Sequence, residues 1–244
     1  NQFLKLLCRI PRPWVLDPDF TIVESARAEA TGYSFPSGHT QNAVGTFGGI
    51  ARATKRHCLR WVCVVIFVLV SFSRMYLGVH TPLDVGVSFV IAAVLVFAIY
   101  PLMRRADRYP RLMAGLLASM VLLSAAYLTF TLVYPFPPDI DSANLASGVE
   151  NGWKLLGATL GITLAWWLDR QYVHFETKAV WWVQAIKFIV GLALVVALKA
   201  GLKAPLIALF SGSAGLAGAV RYFLVVLAAG VLWPMAFRPL SRLG

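Results

Sequence analysis

The sequence predicts an all-α fold, a polytopic transmembrane helical bundle, and three observations lead there. The first is composition: of 244 residues, 59% are hydrophobic and only 14% charged, with a mean hydropathy of +0.71, where a soluble domain carries roughly 25% charged residues. The second is run length. Apolar stretches at residues 82–103, 112–134, 180–198 and 219–237 match the roughly 20 residues needed to cross a hydrocarbon core of about 30 Å. The third is where the charge sits: the 22 Lys and Arg against 11 Asp and Glu, a formal net charge of +11, cluster in short loops between apolar runs. That pattern orients helices beside anionic headgroups and argues against a nucleic-acid partner. A chain in lipid must satisfy its backbone polar groups internally, so the runs are helices.

Residues 1–13 read as the last turns of a helix broken by Pro11 and Pro13. The chain opens on Asn1, shows no cleavable leader, and lacks an initiating Met, which predicts residues upstream. Residues 14–34, with Asp17, Asp19, Glu24, Arg27 and Glu29, form an extramembrane loop. A helix is expected over 41–54 with Ser37 as its N-cap, and another over 61–73. Thr81 and Pro82 read as the N-cap and first residue of the helix over 82–103. The run 112–134 empties into the acidic, proline-rich loop 135–141, and 153–168 is a helix whose Gly157, Ala158 and Gly161 permit close helix contact. After a polar stretch at 169–178 come the span 180–198, a Gly- and Ala-rich segment at 205–218 that is re-entrant or a tight helical turn, and a last span ending before Arg238 and Arg242. Three cysteines, Cys8, Cys58 and Cys63, have no metal-ligand spacing, and Cys63 reads as a small core residue.

The basic loops 55–60 and 104–111 lie at one end of their helices, and positive loops are cytoplasmic by preference. His39, Arg74 and His80 then share the opposite, extracytoplasmic end. Between two apolar runs the chain reads Ser-Arg-Met-Tyr-Leu-Gly-Val-His-Thr-Pro-Leu-Asp over residues 73–84, where buried charge is expensive and marks function. In the first helical turn, the Asp84 carboxylate can reach back to a ring nitrogen of His80, fixing its tautomer and leaving the other nitrogen basic. An ordinary helix cap has the same spacing. Lys5 and Arg12 serve equally as an interfacial cluster snorkelling to headgroups, and Gly38-His39 as a plain helix start. Taken together, Lys5, Arg12 and Arg74 supply fixed positive donors, and Ser37 and the amide at Gly38 add the positive end of a helix dipole. Such a cradle suits a phosphoryl group whose charge spreads over three oxygens. No carboxylate cluster for magnesium accompanies it, so the cations stand in for a metal and no cofactor is expected.

Read in order, the polar segments spell Lys5-x6-Arg12-Pro13, Pro36-Ser37-Gly38-His39 and Ser73-Arg74-x5-His80-x3-Asp84. This resembles the three-part signature of the type 2 phosphatidic acid phosphatase superfamily, which also contains glucose-6-phosphatase, sphingosine-phosphate phosphatases and the vanadium haloperoxidases. The resemblance covers residues 5 to 100. It implies a phosphatidic acid phosphatase/haloperoxidase-like core over residues 1–110, with additional transmembrane helices over 111–244 like those of the sphingosine-phosphate phosphatases and glucose-6-phosphatase. It further implies catalytic residues His80 as nucleophile, Asp84 as its orienter and His39 as acid then base, with Lys5, Arg12, Ser37, Gly38 and Arg74 binding phosphate, and no metal. Family members carry helices ahead of the Lys-x6-Arg-Pro segment, which here begins at residue 5.

The function expected is a multi-pass cell-membrane phosphatase acting at the outer face on a lipid phosphate monoester or pyrophosphate of polyprenyl, phosphatidic acid, phosphatidylglycerol phosphate or sphingoid type. Its partners are that lipid substrate and the surrounding membrane lipids. Two alternatives are a phosphotransferase that passes the group to another acceptor and a non-catalytic lipid-binding or transport protein. A haloperoxidase is disfavoured, because those enzymes are soluble and this composition is not.

Overall fold

The structure, a computed structural model, describes residues 1–28, 30–175 and 177–241. Glu29 and Arg242, assigned above to loops, lie outside them. Helices and turns account for the described residues, with no strand among them, as lipid burial of the backbone requires. The chain divides into two compact units: Asn1–Met113 with Phe136–Gly148, and Ala114–Pro135 with Val149–Gly244.

The first unit opens with α1 (Gln2–Cys8), which ends where Arg9 takes a left-handed conformation at φ 51°. The helix therefore stops two residues before Pro11, earlier than the prolines alone would require. Pro13 then begins rather than ends an element, occupying the first position of the one-turn α2 (Pro13–Leu16), where its missing N–H costs nothing. A second one-turn helix, α3 (Glu24–Arg27), interrupts the expected loop and is clamped by the Arg27–Glu24 pair at 2.9 Å. Then come α4 (Gly38–Ala53), α5 (His57–Tyr76) and α6 (Pro82–Ala106). Ser37 caps α4 as its spacing predicts, accepting from the Thr40 amide at 3.4 Å. Helix α5 continues past Ser73 to Tyr76 because no breaker appears until Gly78, so Arg74 rides on its last turn. Gly78 turns the chain at φ +72°, and a Cβ there would fall 2.5 Å from the Thr21 carbonyl oxygen. Thr81 and Asp84 close a reciprocal capping box at the start of α6. Helix α4 packs against both α5 and α6.

Helices α7 (Pro110–Val133) and α8 (Ser142–Leu168) follow. The latter starts three turns earlier than its apolar pattern suggests, since Asp141 accepts from the Asn144 amide at 2.8 Å and caps a polar first stretch. A π-helical turn at Asp169–Val173 extends it. Within the second unit, α9 (Trp181–Gly201) runs into α10 (Lys203–Leu209). Of the two readings of the segment 205–218, the tight turn is the one seen: a break between helices with Ser211 and Gly212 at φ 52° and +84°. Beyond it α11 (Ala214–Leu227), a π-helical turn at Ala228–Leu232, α12 (Trp233–Met235) and α13 (Phe237–Ser241) complete the described chain. Gly157 lets α8 lie directly on α11: a Cβ there would overlap the Ala219 carbonyl oxygen at 2.0 Å, and one at Gly161 would meet the Phe223 carbonyl oxygen at 3.0 Å.

Among the described residues, five helical segments are long and apolar enough to cross a membrane: His57–Tyr76, Pro82–Ala106, Pro110–Val133, Trp181–Leu209 and Ala214–Met235. Their outward faces expose large apolar side chains, Leu122, Leu123, Phe188 and Trp181 among them. Such a surface is a liability in water and the expected solvent face in lipid. The protein is an integral membrane protein.

Candidate active site

The first unit brings the ends of α1, α4, α5 and α6 around a cleft of about 430 Å³ whose lining includes Lys5, Arg12, Gly38, His39, Arg74 and His80. Residues 75 positions apart in sequence therefore share one wall. Asp84 and Ser37, both buried, stand behind the lining residues.

His80 is 4% exposed and is held from both sides. Its Nδ1 lies 3.4 Å from Asp84 Oδ2 and 3.4 Å from Ser34 Oγ, while its Nε2 lies 3.1 Å from Arg12 Nη1. Asp84 is in turn immobilised: its Oδ2 accepts from the Thr81 amide at 2.8 Å and from Ser34 Oγ at 2.5 Å, and its own amide donates to Thr81 Oγ1 at 3.2 Å. A carboxylate fixed in this way selects the His80 tautomer protonated at Nδ1, so that the Nε2 lone pair faces the cleft and Arg12. Burial pushes the His80 pKa below the usual histidine value, reinforced by Arg12 and Lys5 and opposed by the hydrogen bond to Asp84. That direction favours the neutral ring, the form a nucleophilic role would require.

The cations are mounted on backbone carbonyls. Arg12 donates through Nε to Gly32 O at 3.0 Å, through Nη2 to Thr31 O at 2.8 Å and through Nη1 to Val79 O at 2.8 Å. Lys5 Nζ donates to the Tyr33 carbonyl. Burial is the main force lowering the Lys5 pKa to about 7, with the neighbouring Arg12 adding to it and Asp84 opposing it. Burial likewise lowers Arg12 to about 10, which leaves it charged at neutral pH. Arg74 is half-buried and its Nε and Nη2 each donate to Ser73 Oγ at 3.2 Å.

His39 is exposed on the cleft wall. Its pKa is lowered first by burial and then by Arg74, Arg12 and Lys5, whose positive charges resist another. In the first turn of α4, the Thr40 amide goes to Ser37 Oγ and the Gln41 amide to Ser37 O at 3.1 Å. The amides of Gly38 and His39 are the remaining orphan donors of the helix N-terminus, and both residues line the cleft. Ser37 itself is fully buried, its Oγ also accepting from Thr40 Oγ1 at 3.1 Å. Its contribution to an anion site runs through the cap.

Cationic donors and two orphan amides around one cleft, with a buried His–Asp pair on its wall, form a receptor for a tetrahedral oxyanion with a nucleophile beside it. Residues 1–108 match the PAP2 superfamily, and residues 153–243 match the transmembrane extension of PAP2 superfamily phosphatases. The chain belongs to the PAP2 superfamily. Similar curated proteins are the undecaprenyl-diphosphatase BcrC of Bacillus subtilis (strain 168), 34% identical over 100 residues covering 41% of this chain and 49% of that protein, and phosphatidylglycerophosphatase B of the same organism, 32% identical over 106 residues covering 39% of this chain and 50% of that protein. The chain spans about half the length of the curated relatives it matches. No solved structure matches it.

The PAP2 region also contains a residue that sequence reasoning passed over. Ser34 is 1% exposed and its hydroxyl bridges Asp84 and His80, yet it sits in what reads as a polar loop. Its only sequence signal is a small hydroxyl residue between Tyr33 and Phe35. The carbonyls of Thr31, Gly32, Tyr33 and Val79 that mount the cations have no side-chain signature at all. Among the described residues, no group of three His, Cys, Asp or Glu side chains is placed to hold a metal ion.

Proposed function

We propose that this protein is a lipid phosphate phosphatase that works through a phosphohistidine. The observation that carries the reading is the His80 ring, held at Nδ1 by Asp84 with Nε2 turned to Arg12 in a cleft lined by further cations. The names of the two curated relatives support a lipid phosphate or diphosphate as substrate class. The basic loops at the far ends of α4, α5 and α6 support an active site on the extracytoplasmic face.

In the first step the phosphate oxygens take the place of carbonyls or His80 as partners of Arg12 and Lys5 and of Ser73 Oγ as the partner of Arg74, and accept from the Gly38 and His39 amides. His80 Nε2 attacks phosphorus as the bond from phosphorus to the leaving oxygen breaks, and His39, protonated once the negative phosphate offsets the surrounding cations, gives that oxygen its proton. Developing imidazolium charge on His80 is stabilised by Asp84, whose position Ser34 and Thr81 maintain. In the second step His39 takes a proton from water as its oxygen attacks phosphorus. The P–N bond breaks, its electron pair returns to Nε2, and inorganic phosphate leaves. Arg12, Lys5 and Arg74 hold the transferring group throughout, with no step that calls for a metal.

The test is phosphate release from a panel of lipid phosphates by the purified protein in detergent with EDTA, beside His80→Ala. Release that resists EDTA and falls by about 10⁴-fold or more in the variant is expected for loss of a covalent nucleophile. Comparable turnover by His80→Ala would overturn the mechanism. Appearance of a phosphorylated acceptor in place of free phosphate would make the protein a transferase.

A further inference from the structure

Beside the cleft lies a second cavity of about 420 Å³, a groove between α4 and α6. Its floor on α4 is Asn42, Gly45 and Gly49, and its wall on α6 includes Leu95, Ile99 and Met103. Asn42 also lines the catalytic cleft, so the two cavities meet at that residue. One is lined by cations and the other by apolar side chains, the two halves of an anionic amphiphile. Gln41, which precedes Asn42 and lines the groove, has a side-chain nitrogen that is buried without a hydrogen-bond partner among the described residues, a state expected of a donor that meets its acceptor only when a ligand arrives.

The glycines are what keep the groove open. A Cβ added at Gly45 or Gly49 would meet nothing within 4 Å, whereas one added at Gly48 would meet Val44 and Val96 at 3.9 Å. At the far end the groove reaches Tyr100 and Met103, and the Arg52 guanidinium covers Tyr100 and Phe97 at 5.0 and 4.3 Å, placing charge where an apolar track would otherwise continue. From Ala92 to Met103 the wall spans about 16 Å at 1.5 Å per residue, roughly half the hydrocarbon core.

We propose that the α4/α6 groove holds the hydrocarbon chain of the lipid phosphate nearest its headgroup, and that Gly45 and Gly49 determine preference for long-chain over short-chain substrates. This assignment rests on the phosphatase reading. It makes the lipid tail a recognised part of the substrate: burying it against α4 and α6 holds the phosphoryl group in the cleft.

The experiment compares phosphate release from farnesyl diphosphate and dioleoyl phosphatidate with release from their short-chain counterparts, dimethylallyl diphosphate and dibutyryl phosphatidate. It uses the full chain in detergent, with Gly45→Leu, Gly49→Leu and, as a control for added bulk on an apolar helix away from the groove, Gly86→Leu, where a Cβ also meets nothing within 4 Å. Displacing a few methylenes predicts that each groove variant lowers kcat/KM on the long-chain probes by about tenfold or more, chiefly through KM, and changes the short-chain probes by less than about twofold. Retained short-chain turnover also shows that the variants fold. Long-chain turnover untouched by both leucines, equal losses on long and short chains, or an equal loss in Gly86→Leu would overturn the groove assignment alone. No release from any probe by the unsubstituted protein would overturn the phosphatase reading, and the groove assignment with it.

Discussion

Both units of this protein bury basic side chains, and the contrast between them is between a candidate active site and isolated buried charges. In the first unit Lys5 and Arg12, each 8% exposed, line a cleft together with two histidines and a third cation. In the second, Lys187 and Arg221 are just as buried, at 4% and 8%. The Lys187 ammonium donates to Ser241 Oγ at 2.8 Å and lies 4.6 Å from the centre of the Phe237 ring, while Arg221 lies 5.5 Å from that of Tyr222. In these contacts Lys187 meets only neutral groups, and the Arg221 Nε is buried without a hydrogen-bond partner among the described residues. The apolar cavity of about 500 Å³ in that unit, between Leu117, Leu160 and Phe223, has no charged residue in its lining. Burial of charge within a membrane protein raises the prior for function, but convergence of donors from separate segments on one space is what chemistry requires.

The largest effect that would sharpen this contrast is His39→Asn, which removes the proposed proton donor and leaves the cradle in place. Turnover should fall by about 10²- to 10⁴-fold, with a smaller loss for an aryl phosphate whose leaving group needs no proton. Equal losses on aryl and alkyl esters would remove His39 from the acid role. Next is Arg12→Lys, which keeps the charge and loses the fork that touches three carbonyls and His80. Losing charge-assisted hydrogen bonds worth about 1.5–3 kcal/mol predicts a tenfold to hundredfold drop in kcat/KM, and an undiminished value would reduce Arg12 to a structural charge like Lys187.

Ser34→Ala tests a positioning residue. Removing the 2.5 Å hydrogen bond to Asp84 should lower kcat by about tenfold with little change in KM, since the hydroxyl orients the carboxylate and lies behind the phosphate. A change confined to KM would contradict that placement.

The Lys5 pKa of about 7 supplies a pH test. A bound phosphate dianion favours the ammonium, so binding takes up a proton and affinity declines as pH rises through 7. Inhibition by vanadate should weaken above pH 7 in the parent and less steeply in Lys5→Arg, whose charge does not titrate there. Parallel profiles for the two proteins would exclude Lys5 from the anion site. Smallest on activity is Lys187→Met. Turnover should stay within about twofold, while loss of one charge-assisted hydrogen bond and one cation–π contact lowers the melting midpoint by several degrees. A large loss of turnover at unchanged stability would erase the distinction between the two units.

Much of the site was legible before any coordinates, for a definite reason. Helix caps and charges between apolar runs are local signals: Ser37 ahead of α4, Thr81-Pro82 ahead of α6, and His80 four residues before Asp84 all carry their geometry in their spacing. That Gly157 permits close helix contact followed from the same kind of local reading, while its partner, α11, came only from the structure. What was misread also has a local cause. The cap at Asp141 lay outside the apolar pattern of α8, and a left-handed Arg9, not a proline, ended α1.

Hydropathy and charge spacing thus determined the all-α membrane fold, the helix starts and the identity of the charged residues, because lipid leaves the backbone few alternatives and because capping acts over three or four residues. Only the tertiary structure decided which atoms meet. The Ser34 hydroxyl reaches Asp84 across 50 positions of chain, Arg12 reaches Val79 and His80 across 67 and 68, and the groove at Gly45 and Gly49 exists only because α4 lies against α6. Backbone carbonyls and empty space have no side-chain identity, so no reading of residue types finds them.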